Sequence, residues 1–140
     1  MTTLTHLNWL AVVVASFAYF MLGWLWFTLL FRKTWAQGHG MSIATTDAEK
    51  EKMKKEMPKT ILSAFVFCFI LTIALACLEA ATGTHEWMKG CKMGILAGVF
   101  AVIPIAQSHF HTKKPFSLML IDGGYHLVGL SIAGIILSLF

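Results

Sequence analysis

Asp122 and His126 stand four residues apart in the segment Leu120-Ile121-Asp122-Gly123-Gly124-Tyr125-His126, inside a 26-residue stretch, 115–140, that carries no other Asp, Glu, Lys or Arg. On a helix this spacing puts both on one face, where a carboxylate can orient an imidazole or share a proton with it. A charged group among so many apolar neighbours is costly unless paired, which marks it as the first place to look for function. Gln107, His109 and His111 close the preceding apolar run, and the short turn Lys113-Lys114-Pro115 brings them back toward the same place. The expected polar cluster is therefore Asp122, His126, Tyr125, Gln107, His109 and His111, with Asp122 and His126 as a coupled pair. Such a cluster suits a structural hydrogen-bond network or a path for a proton, ion or small solute.

Other chemistries lack their motifs. Asp122 and the three histidines offer enough nitrogen and oxygen for Zn or Fe, but there is no HExxH and no paired Glu-x-x-His, and His109 and His111, two apart, cannot face one point from a regular helix. No metal and no cofactor are expected, haem included. No nucleophile, base and acid can be matched, so no catalytic residues are assigned and the chain is not expected to be an enzyme. Gly38-His39-Gly40 reads as turn material rather than a phosphate loop. Cys68, Cys77 and Cys91 contain no CxxC pair and read as small hydrophobes.

The elements that must hold these groups follow from the composition. The 140 residues are 57% hydrophobic and 13% charged, against about 25% charged in soluble domains. Residues 9–31, 60–78 and 93–112 contain no Asp, Glu, Lys or Arg. With 117–139 they make four runs near the roughly 20 residues that cross a bilayer. The expected fold is all-α: one polytopic transmembrane domain, 1–140, built as a four-helix bundle in the lipid bilayer. The 32–59 link has two glycines and then a short surface helix, opened by the capping-box spacing of Thr46 and Glu49 and ended or bent by Pro58. An uncharged N-terminal tail and a 23-residue apolar run argue against a cleaved signal. Glu79, Thr82, Thr84, His85 and Glu86 read as solvent-exposed groups between the second and third spans.

Seven basic residues lie in the first link and two in the last turn, against Lys89 and Lys92 on the other side. Nine against two puts both termini on the non-cytoplasmic side. The net charge of +4 is explained by this asymmetry, so no nucleic-acid partner is expected. Close helix packing needs small residues, found as Gly94, Gly98 and Ala101 in the third span and Gly129 and Ala133 in the fourth. Trp9, Trp35 and Trp87 sit where interface anchors would, and of Trp24 and Trp26 one should pack inside and the other meet lipid.

Three stretches give the chain a likeness. Asn8-Trp9-Leu10-Ala11-Val12, Gly23-Trp24-Leu25-Trp26-Phe27 with Phe31-Arg32-Lys33-Thr34-Trp35, and Leu120 to His126 resemble the uncharacterised four-span bacterial membrane family catalogued as domain of unknown function 1761. The resemblance covers nearly the whole chain except the middle link. It implies an inner-membrane four-helix protein with no assigned reaction, and Asn8, Trp24, Trp35, Asp122 and Tyr125 as its characteristic positions. The family often has Trp-Tyr and a proline where this chain has Trp26-Phe27 and Thr28-Leu29, so one tyrosine hydroxyl is missing here. Two functions fit: an oligomeric module for permeation of a small solute, ion or proton, favoured because Asp122 is intramembrane, or a non-catalytic accessory subunit packed against a larger membrane complex. A homo-oligomer or such a complex is the expected partner.

Overall fold

The computed structural model describes residues 6–40 and 46–140. Helix α1 (Trp9–Leu25) begins where the Asn8 side chain accepts the Ala11 N–H at 3.3 Å, satisfying one of the donors that every helix start leaves open. The Asn8 side-chain amide also donates to the Phe140 carbonyl at 3.4 Å, tying the two terminal segments together. After Leu25 the helix loosens into one π-helical turn, Trp26–Leu30, in which the Phe31 N–H donates to Trp26 O at 2.9 Å. A short helix α2 (Arg32–Gly38) follows. Then come α3 (Asp47–Thr82), α4 (Trp87–His111) and α5 (Phe116–Leu139).

Four helical segments, Trp9–Leu30, Asp47–Thr82, Trp87–His111 and Phe116–Leu139, are long and apolar enough to cross a membrane. The fold is an all-α multi-pass membrane bundle. Its outer surface shows large apolar side chains such as Leu10, Phe67, Phe100 and Phe110, as lipid contact requires. Trp9, Trp24 and Trp87 are exposed in the same way.

The surface helix of the link differs from its sequence reading. The Thr46–Glu49 capping box is present, but the helix it opens runs unbroken through Pro58 for 36 residues, about 54 Å at the α-helical rise. Proline removes one backbone bond, to the carbonyl of Lys54. That stretch is exposed throughout, so the orphaned carbonyl lies where water can reach it, and the helix runs on to a glycine cap only at Gly83.

Helices α4 and α5 touch backbone to backbone. Gly90, Gly94 and Gly98 are buried in α4, and a Cβ on Gly98 would lie 2.8 Å from Leu127 Cα. Cβ atoms on Gly94 and Gly90 would collide with the carbonyls of Leu130 and Gly134. The stripe starts a turn earlier than the pair Gly94 and Gly98 suggests, because α4 begins inside what reads as a loop. Across α5, Gly129 makes room for the Tyr19 ring of α1. Ala15, Tyr19, Cys68, Leu75, Tyr125, Leu130 and Ala133 form the main core, with Ala101 partly buried against it.

Candidate functional site

The π-turn and α2 carry the chain back over the start of α5. Trp35 comes to rest with its indole N–H donating to Asp122 Oδ1 at 2.9 Å. The other carboxylate oxygen, Oδ2, faces His109 Nε2 at 3.2 Å and His39 Nε2 at 3.9 Å. Three elements, α2, α4 and the segment just after α2, thus converge on one side chain of α5. The Asp122 side chain keeps 17% of its surface exposed, and it lines a cleft of about 450 Å³ together with Phe27, Trp35, Ser108, Tyr125 and His126.

The hydrogen bonds fix how the imidazoles present themselves. His39 Nδ1 lies 3.1 Å from the Trp35 carbonyl, and a carbonyl only accepts, so Nδ1 carries the proton. A neutral His39 then turns the lone pair of Nε2 toward the carboxylate. Lone pair and carboxylate attract only through a proton or a donor placed between them. His109 is different: its Nε2 lies 3.2 Å from Asp122 Oδ2, within ion-pair distance, while its Nδ1 is buried without a partner.

Asp122 and His126 do not form the expected direct pair. Their spacing on α5 allows contact, but α2 and α4 supply the carboxylate's partners and His126 turns to the Tyr19 hydroxyl through Nδ1. Tyr125 lies beside them, its hydroxyl 3.3 Å from Cys68 Sγ and 3.4 Å from the Tyr19 carbonyl to which it donates. Gln107 and His111 are exposed and line no part of the cleft. Trp35, expected as an interface anchor, is partly buried and donates to Asp122. Trp26 packs inward and donates to the Ile121 carbonyl at 3.0 Å, while Trp24 faces outward.

His39, Tyr19 and Cys68 were absent from the sequence-derived cluster. One signal pointed to the first: Trp35 and His39 are one helical turn apart. Glu79 also departs from its reading as a solvent-exposed group. It is 4% exposed near the end of α3, and both its carboxyl oxygens are buried without a hydrogen-bond partner. Among the described residues no three His, Cys, Asp or Glu side chains form a group suited to a metal ion.

A family model described as "Protein of unknown function (DUF1761)" matches residues 10–138. The chain belongs to this family. The match takes in nearly all of the four long helices and every residue of the cleft, with Asn8 just outside it. No curated protein and no solved structure matches the chain. Family membership therefore brings no reaction with it, and the chemistry has to be argued from the cleft.

Proposed function

We propose that this protein is a small permeation module of a bacterial cytoplasmic membrane, passing a proton or small cationic solute by way of the Asp122 cleft. The carrying observation is a carboxylate, on a helix long and apolar enough to cross a membrane, that lines an accessible cleft with the His39 Nε2 only 3.9 Å away. That arrangement invites a proton or a donor cation. Polar groups continue inward from it through His126 and Tyr19, then Tyr125 and Cys68, with buried Thr72 and Glu79 further along α3. A single bundle of this size has little room for both path and wall, so the working unit is an oligomer. Both termini lie on the non-cytoplasmic side, because nine of the eleven basic residues fall in the two connections at the opposite end.

The purified protein in vesicles holding a pH-sensitive dye tests this reading. Wild type should collapse an imposed proton gradient, or admit methylammonium, faster than protein-free vesicles. Asp122→Asn should slow that flux about tenfold or more, in line with removal of an essential intramembrane charge, while eluting from detergent like wild type. Wild-type flux no greater than that of empty vesicles for both probes would refute the reading. Reporter domains inserted at Gly40 and fused after Phe140 should report cytoplasmic and external locations respectively.

A further inference from the structure

The Asp122 cleft is not the only cavity at its level. A groove of about 350 Å³ runs between α1 and α3, lined by apolar side chains that include Phe20, Ala64, Phe67 and Leu71. Its rim residues Trp24, Ile61 and Phe67 are exposed on the bundle surface, so in a membrane it opens sideways to lipid. Phe27, Tyr125 and His126 line both cavities. The two spaces adjoin along that edge, one polar and one apolar.

We propose that together they form one binding site for a single-chain alkylammonium ion, its head at Asp122 and its tail in the α1–α3 groove. This deepens the permeation reading by naming the solute class, and it rests on that reading. Three features select the head group. Asp122 is the sole Asp or Glu in the lining of either cavity, and no Lys or Arg offsets it; the same absence leaves a phosphate without a cationic partner. The 3.9 Å between His39 Nε2 and Asp122 Oδ2 is too long for a direct hydrogen bond, yet an ammonium nitrogen about 2.9 Å from each fits between them. One N–H would serve the imidazole lone pair and another the carboxylate. Phe27, Trp35 and Tyr125 line the same cleft, their rings packed 5.1–5.4 Å apart, so the head would enter beside aromatic surface of the kind that attracts a cation. The groove supplies what the tail requires, an apolar wall reached from the bilayer. Cavities of about 450 and 350 Å³ are each in the range of small-ligand pockets.

The test uses the full chain in phosphatidylcholine nanodiscs with a decylammonium probe carrying a diazirine near the end of its tail. Photolysis should place the label on α1 and α3 around Phe20, Ala64 and Phe67. Unlabelled decylammonium should compete, whereas decanol, decyl sulfate and phosphatidylethanolamine should not. Asp122→Asn should lower site labelling about tenfold or more, the scale expected for losing one partner of a desolvated charge pair. Ala64→Phe, at a residue that lines the groove but not the Asp122 cleft, should lower it as well. If Asp122→Asn does not assemble, the competition series on wild type and the Ala64→Phe variant decide. Label spread evenly over lipid-facing residues, or equal competition by decanol, would overturn the site. Site labelling without methylammonium or proton flux would leave the ligand standing and remove permeation; proton flux without site labelling would do the reverse.

Discussion

Asp122 and Glu79 are the two carboxylates that this bundle draws in among its apolar helices, and it treats them in opposite ways. Asp122 accepts from Trp35 on one oxygen, has the His109 and His39 imidazoles within ion-pair distance of the other, and faces a cleft. Glu79 has no hydrogen-bond partner on either oxygen, and its Oε1 lies 3.0 Å from where a Cβ on Gly134 would stand. The difference follows from how the helices meet. At the Glu79 end, Gly90 and Gly134 let α4 and α5 close backbone to backbone, which leaves no space for another element. At the Asp122 end α2 lies against α5 and brings its own polar side chains with it. A polar group buried without a hydrogen-bond partner costs about 1–3 kcal/mol, so the two ends treat a carboxyl group differently: one surrounds it with polar partners, the other gives it none.

The largest effect should come from the closed contact. Gly94→Leu should destabilise the bundle by about 3 kcal/mol or more, because the new side chain meets main chain that cannot move aside. Gly123→Ala, whose Cβ would meet only the Val102 side chain, nearest at Cγ1 3.2 Å away, should cost less than about 1 kcal/mol. Thermal unfolding in detergent measures both, and equal values would erase the contrast between the ends. Next is Asp122→Leu, which strands the Trp35 N–H and the His109 imidazole. A loss of about 2–3 kcal/mol is expected. Trp35→Phe removes one donor and should cost about 1–2 kcal/mol, with a non-additive sum when combined with Asp122→Leu. Smallest is Glu79→Met, which loses no hydrogen bond and should leave stability within about 0.5 kcal/mol of wild type or raise it. A loss near that of Asp122→Leu would mean that Glu79 holds a partner after all, and the comparison would need redrawing.

Features written in local periodicity were legible in advance. Uncharged runs gave the long helices, Thr46 with Glu49 gave the start of α3, and the four-residue spacing of Gly94 and Gly98 gave part of the α4 stripe. From spacing the site was legible only in its α4 and α5 members, and Trp35 stood out through the family resemblance alone. Spacing on one helix says which side chains can meet, not which do, so Asp122 and His126 looked like a pair until α2 supplied Trp35 and α1 supplied Tyr19. Partners 87 and 107 positions away leave no periodic trace. His39 was hidden by its glycine neighbours, which read as a turn although α2 extends to Gly38. Glu79 looked exposed because the apolar run stops at Leu78; α3 instead continues through Ala80 and Ala81 to a left-handed cap at Gly83, φ 63°, and carries the carboxyl into the bundle.

The π-turn at Trp26–Leu30 gives the site a phase as well as a position. Such a turn holds about one residue more than an α-turn, so everything downstream is rotated by about 100° relative to an uninterrupted helix. Deleting a single residue there, ahead of the bend at Phe31 (φ −122°, ψ 15°), should shift the phase of α2 and swing Trp35 and His39 away from Asp122 with every side chain of the cluster still present. The length of those five residues, more than the identity of any one of them, then sets which face of α2 reads α5, and a one-residue insertion or deletion becomes the natural step by which a related chain would retune or retire this cleft.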